Sequence, residues 1–366
     1  MTDLAQPGVL TVERVTVPEK LDAPEARVFA EMVRIANAVC RHDAGHDYLH
    51  EEPEEMLGFW QDQSDWTQLG FAVLRDDAVL GVVKLMISNE PDAGAVEFDL
   101  MVDPPLWGQG VEELLLAEVE REARERGLTT IQTWTLHRPG MPGPRLSPST
   151  GWGEIPAHDR QTAFQVANGF TLEQVERNSV FDLTGDLGLV KRMLADALAA
   201  AGSDYRQIAW TAPTPPEFQD GFAYALSRLS TDAPQGGMVV DEQRWDAARV
   251  RRRDARQQAQ GLTVSVAAVL HEPTGTIAAY NELVIADDHG GATQQYGTLV
   301  LKEHRGHRLG ALVKCANLLR WRQLVPESPR VSTFNAEENR HMLDINEAIG
   351  FVPASYAGAW KKTLDV

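Results

Sequence analysis

A chain of 366 residues is long enough for two domains of ordinary size, and 43% hydrophobic with 24% charged residues is a globular composition able to bury sizeable cores. The formal net charge of −19 argues against nucleic-acid or anionic-membrane partners and leans toward small cationic substrates. Cys40 and Cys315 make no disulfide framework or metal spacing, no run reaches membrane-spanning length, and residues 1–10 lack a basic region followed by an apolar block, so a cytoplasmic protein is expected.

Taken in chain order, residues 9–17 alternate as a strand does, and residues 24–38 carry helical periodicity, followed by a second helix around residues 56–60. Residues 71–74 and 79–87 flank Asp76-Asp77 as a hairpin, and residues 96–102 form a further strand. Residues 110–126 make an amphipathic helix that stops at Gly127, and β-branched residues 129–136 resume as strand. The order then repeats: strand 205–211, helices 217–229 and 241–260, a hairpin of 264–270 and 276–285, strand 294–301, helix 309–324 and strand 330–334. Two passes that each end strand–helix–strand indicate two similar α/β domains, with a boundary inside residues 183–204, where an Ala-rich helix ends at Gly202. Residues 102–110 match residues 300–308 in position, and Asn168-Gly169-Phe170 matches Ile349-Gly350-Phe351. The first half is longer between these landmarks, consistent with a Pro/Gly-rich insertion near residues 138–156.

The most specific segment is His304-Arg305-Gly306-His307-Arg308-Leu309-Gly310, between a strand and a helix start. Unpaired helix N–H groups, permissive glycines and cationic side chains make it suited to an anion. With Val300 before it, and Asn339 leading an apolar helix to Gly350-Phe351 after it, the chain resembles the GNAT-type N-acetyltransferase superfamily, specifically its tandem members. The resemblance implies an α/β fold of two tandem GNAT-like domains, each a mixed central sheet flanked by helices. They would occupy residues 1–183 and 205–366, joined by a linker helix at 184–204. It also implies acetyl-CoA, or another short acyl-CoA, as co-substrate and an amine as acceptor; a small-molecule amine is expected, with a non-catalytic acyl-CoA-binding or interaction protein, or an enzyme acetylating protein amines, as the alternatives. A monomer or homodimer is expected.

The two copies depart from the family pattern differently. The second keeps Arg305, Gly306 and Gly310 but carries Lys302 for proline and Arg308 for the middle glycine; the first keeps Gly108 and Gly110 but has Trp107 for Arg/Gln and Glu112 where a small residue belongs. A carboxylate there repels a diphosphate, so the second domain is expected to bind the cofactor. The cofactor would pair with backbone groups of Leu299 and Val300 and lie along Arg305, Gly306, His307, Arg308, Leu309 and Gly310. Asn335 and Asn339 either hydrogen-bond its pantetheine arm or, for Asn339, cap the following helix.

The family often uses a strand carboxylate as proton acceptor and a Tyr four residues before the Gly-Phe glycine as proton donor. Glu282, among apolar neighbours, is the candidate acceptor, unless alternation turns it to solvent. The Tyr position is Asn346 here and Gln165 in the first copy, which leaves Tyr296 and Tyr356 as substitute donors or packing aromatics. His42, His46 and His50 recur at helical spacing but lack a fourth ligand signature, so no metal is expected. The arginines between 249 and 256 read as a helix surface or as partners of acidic neighbours, and Trp152 in the insertion could line a substrate cleft.

Overall fold

The computed structural model describes residues 9–365, so most of the N-terminal stretch discussed above lies outside the described residues. The chain divides into two compact units, one reaching from the N-terminal side to Trp134 and resuming at Trp360, the other spanning Thr135–Ala359.

The first unit contains β1 (Leu10–Arg14), α1 (Ala26–Ala44), α2 (Pro53–Gln61), β2 (Trp66–Arg75), β3 (Ala78–Ser88), β4 (Ala95–Val102), α3 (Val111–Glu125) and the start of β5 (Thr130–His137). Its strands lie in the order β1-β2-β3-β4-β5. The β2–β3 hairpin closes through Asp76, whose positive φ of 55° suits an aspartate better than a branched residue. Phe29, Met32 and Val33, at helical spacing on α1, pack with Ala72, Leu74 and Val82 of the sheet. Trp60 packs edge-on against Phe29 at 5.9 Å and lies over Gly70, where a Cβ would stand 2.9 Å from its ring. Strands β4 and β5 run parallel only from Ala95 to Phe98.

The second unit continues with β6 (Arg145–Leu146), β7 (Ile155–Pro156), α4 (Arg160–Ala167), β8 (Thr171–Asp182), α5 (Gly188–Ala201), β9 (Tyr205–Thr211), α6 (Gln219–Asp232), α7 (Ala247–Ala259), β10 (Thr263–His271), β11 (Thr276–Ile285), β12 (Ala292–Val300), α8 (Leu309–Leu324), β13 (Arg330–Ala336), α9 (Arg340–Ile349) and β14 (Val352–Thr363). Its large sheet has the order β14-β8-β13-β12-β11-β10-β9. Phe222, Ala225 and Val250 from α6 and α7 cover one face with Val264, Val266 and Tyr280; Cys315, Leu318 and Trp321 from α8 pack with Leu283 and Ile285 of the opposite face. The inserted residues between β5 and α4 hold the small β6–β7 ladder.

Several expectations meet a different arrangement. Residues 188–201 are helical, but as α5 packed within the second unit, and the division falls at Trp134 and Trp360. The physical reason is strand pairing: β8, which follows the first copy's Asn-Gly-Phe element, is antiparallel to β13 from Asp182–Arg330 to Glu176–Ala336. The helix expected from residue 241 starts at Ala247, where the Asp246 carboxylate accepts the Arg249 N–H at 2.7 Å. On that helix Arg249 and Arg253 are buried, and Arg253 takes the second of the two expected settings, paired with the acidic Glu282.

Candidate functional site

The site is built on the fork between β12 and β13. Their parallel ladder covers Ala292–Gln294 against Arg330–Ser332 and then ends. At the next residue Gln295 still reaches across, donating from Nε2 to Thr333 Oγ1 at 2.8 Å. Opposite, β12 carries a bulge against β11: Asn281 pairs with Thr298 and Leu283 with Gln295, so Tyr296 and Gly297 together face Glu282. The bulge bends β12 and leaves its far edge, through Leu299 and Val300, without a β13 partner. A cavity of about 210 Å³ opens there, lined among others by Tyr296, Thr298, Asn335, Asn339, Glu176 and Gln235.

Past Val300 the chain turns into the loop singled out in the sequence. Gly306 has φ 91° with open space where a Cβ would point, and Arg308 holds the left-handed N-cap position of α8 at φ 56°. A non-glycine residue there costs about 1 kcal/mol. Gly310 lies close to α9, its hypothetical Cβ 3.2 Å from Ile345. The first N–H groups of the 16-residue α8 open onto this loop. Arg305 folds back to donate from Nε to the Val300 carbonyl at 3.4 Å. His307 packs against Tyr205 at 4.9 Å, and Leu309 is buried in the core between α5 and α8. His304 is buried, its Nδ1 3.1 Å from the Tyr205 hydroxyl; burial, and then neighbouring His271, keep its pKa below the usual histidine value.

The first unit has the same loop with different contents. Gly108 and Gly110 take the two left-handed positions, at φ 72° and 85°. Trp107 donates its indole N–H to the Val102 carbonyl at 2.6 Å, the counterpart of Arg305 on Val300. Glu112 is buried, and its carboxylate accepts the Gly108 N–H at 3.0 Å. An anion supplied by the protein therefore already uses a donor of this turn.

The remaining predicted residues separate. Tyr296 is 51% exposed on the cavity wall, whereas Tyr356 sits on β14. Glu282 is 2% exposed and receives the Arg253 guanidinium at 2.8 Å, so alternation has turned it inward toward α7 rather than to solvent. Asn339 caps α9, its side chain accepting the Met342 N–H. Asn335 accepts from Asn346 Nδ2 at 2.7 Å, which ties the family's tyrosine position directly to the fork. His42 meets Asp43, His46 stacks on Tyr48 and His50 meets Glu52. Trp152 is half exposed in the inserted segment.

Three buried polar residues were given no site role from the sequence. Arg253 looked like one charge in a basic helix; its four-residue spacing from Arg249 and Gln257, all buried, was the available signal. Tyr280 alternates with Glu282 on one strand face, which was also visible. Lys314 is fully buried on α8 with its Nζ 5.6 Å over the Phe351 ring, and burial pushes its pKa down to about 7. Nothing in an apolar helix marks one lysine as internal.

Comparison with known proteins agrees with this architecture. Residues 32–142 match the model of the Acetyltransferase (GNAT) family. The whole chain has the tandem GNAT fold. It superposes on a tandem GNAT protein from the clavulanic acid biosynthesis pathway with TM-score 0.73 and 22% identity, covering 98% of this chain and 99% of that one. A GCN5-related N-acetyltransferase from Sphaerobacter thermophilus gives TM-score 0.61 at 13% identity, covering 97% and 95%. Saccharomyces cerevisiae N-myristoyltransferase with bound myristoyl-CoA gives 0.56 at 12%, covering 99% and 81%. No curated protein matches the chain. Among the described residues, no helix is long and apolar enough to cross a membrane.

Proposed function

We propose that the chain is an acyl-CoA-dependent N-acetyltransferase whose second unit holds acetyl-CoA, or another short acyl-CoA, and acetylates a primary amine of a small molecule. The observation that carries this reading is the contrast between the loops. Gly306 leaves an open turn at the start of α8, next to a strand edge released from pairing, while the equivalent turn of the first unit is engaged by Glu112. Arg305 and Arg308 supply cations for a diphosphate, the Leu299–Val300 edge supplies backbone hydrogen bonds, and the cavity at the fork receives the acyl end and the acceptor. In a ternary complex the amine nitrogen bonds to the thioester carbonyl carbon, the carbon–sulfur bond breaks, and the proton lost by the amine ends on the sulfur. Glu282 is the carboxylate proposed to relay that proton. Tyr296, on the cavity wall, is proposed to hand its own proton to the leaving sulfur and to be reprotonated by the one taken from the amine, so that one proton in all passes from nitrogen to sulfur.

A second reading, in which the first unit takes the acyl-CoA, is favoured by the family match at residues 32–142 and by the two glycines of its loop. Titration calorimetry with acetyl-CoA decides between them. Gly306→Glu abolishes binding under the first reading and leaves it intact under the second. Binding without free-thiol release across an amine panel would indicate a non-catalytic acyl-CoA-binding protein.

A further inference from the structure

Tyr280 is fully buried, yet its hydroxyl has no hydrogen-bond partner. Leaving such a group unsatisfied carries a desolvation penalty, which a sequence avoids by the single-atom change to phenylalanine unless the hydroxyl has work to do. The ring is held in place: Phe222 meets it edge-on at 5.3 Å, and its strand partner across the ladder is Leu299.

The ring also crosses its own neighbour strand. Gly297 is the diagonal neighbour of Tyr280 on the same face, and a Cβ built there would stand 2.8 Å from both Cε2 and the hydroxyl oxygen of Tyr280. Only glycine admits the phenol at this point. The absent side chain lets the ring lie over β12 at its bulge, so that the hydroxyl sits on the backbone between Tyr296 and Thr298, two residues that line the cavity. Here β12 has already parted from β13. The charged groups facing this layer are Glu282, two residues along the strand, and Arg253 from α7, and these are paired with each other. The hydroxyl is thus a buried donor beside the bulge that no described contact engages.

We infer that Tyr280 donates a hydrogen bond to the acyl carbonyl oxygen of the thioester bound at the β12 bulge. The inference rests on the acyl-CoA site proposed above. As nitrogen bonds to the carbonyl carbon, negative charge grows on that oxygen, and a preorganised buried donor is worth far more there than in water. The phenol keeps its proton throughout, since burial and then the Glu282 carboxylate both raise its pKa above the ordinary tyrosine value. Tyr280 therefore polarises the carbonyl and transfers no proton, a role distinct from protonating sulfur.

The test uses acetyl-CoA carrying ¹³C at the carbonyl, with no acceptor amine, bound to the full chain. A hydrogen bond to the carbonyl moves the ¹³C resonance downfield. The expected result is a downfield shift on binding to wild type that is lost in Tyr280→Phe, with acetyl-CoA affinity held within about twofold. Site-specific 3-fluorotyrosine at position 280, a stronger donor of the same shape, is expected to move the resonance further, and it keeps the test available if the phenylalanine variant does not fold. A bound carbonyl that is unshifted in wild type, or equally shifted in Tyr280→Phe, overturns the role of Tyr280 and leaves the acyl-CoA site standing. Absence of saturable binding to wild type overturns both.

Discussion

The Glu112 carboxylate accepts the backbone N–H of Gly108 at 3.0 Å, in the turn whose counterpart, Gly306, is open. A pair of homologous loops therefore differs by whether the anion is part of the chain. Glu112→Ala removes the internal acceptor while Gly108 and Gly110 keep the turn. Calorimetry is expected to find one acetyl-CoA bound per wild-type chain and two per Glu112→Ala chain. A stoichiometry that stays at one would place the obstacle elsewhere, with Trp107 the next residue to change.

Arg308 holds a left-handed conformation that its glycine counterpart adopts without cost. Arg308→Gly should change unfolding free energy by no more than about 1 kcal/mol, since relief of the backbone offsets the entropy of glycine. The same substitution removes a cation from the loop, so acetyl-CoA affinity is expected to fall about tenfold and its salt dependence to flatten. Titrations at two ionic strengths read both effects.

Lys314 is the clearest source of pH-dependent stability. Its pKa is about 7 in the folded chain because burial disfavours the ammonium, against an ordinary value of 10.5. The unfolded chain therefore binds the extra proton between these values, and stability rises as pH climbs from about 7 toward 10.5. Below that window the penalty is fully present. Lys314→Met keeps the volume and removes the charge, so it should stabilise the protein at pH 7 by roughly 3–5 kcal/mol and flatten the alkaline rise. Thermal or denaturant unfolding at pH 7 and pH 10 checks the sign.

The Glu282–Arg253 pair predicts strong non-additivity. Removing either partner leaves a buried charge without its counter-ion, so Glu282→Gln or Arg253→Met is expected to cost about 3–5 kcal/mol. The double variant Arg253→Met/Glu282→Met should cost far less than the sum of the single changes, as denaturant titrations will show. If Glu282 also relays the proton, Glu282→Gln lowers kcat beyond what its folded fraction explains.

Buried His137 is held by Asp159, its Nδ1 2.5 Å from the carboxylate and its Nε2 2.7 Å from Thr135 Oγ1. Burial alone would raise the pKa of Asp159, but the histidine outweighs it and holds the value below the ordinary one. A lowered carboxylate pKa contributes stability that is present above the unfolded value and lost as pH falls through the folded one. Asp159→Asn should therefore destabilise the chain at pH 7 by about 1–3 kcal/mol and remove part of the acid-side slope. Urea titrations at pH 7 and pH 3 measure both.

Local features were legible from residues alone. The hairpin at Asp76, the start of α8 at Leu309 and the loop from Arg305 to Gly310 all follow from turn chemistry and helical periodicity, which act over a few positions. The fork was implied only through family likeness, because ladder length depends on distant pairing. Arg253 reads as a helix-surface charge or as the partner of some acidic neighbour until Glu282, 29 residues away, is placed against it. Tyr280 and Gly297 are each ordinary strand residues; their meaning arises from a one-residue bulge that no local pattern announces. Strand β8 illustrates the same limit, since its place beside β13 is set by pairing with residues far along the chain.

The division at Trp134 and Trp360 also bears on the order in which the chain is completed during synthesis. The first unit is translated first, but its compact fold includes residues from Trp360 onward, including Lys362, whose ammonium meets Glu120 at 2.7 Å, and Leu364, whose N–H donates to the Thr129 carbonyl at 2.7 Å. Those residues leave the ribosome only after the entire second unit has been made. The half that emerges earliest is therefore finished last, and it spends the length of translation with the edge of β5 waiting for its closing strand.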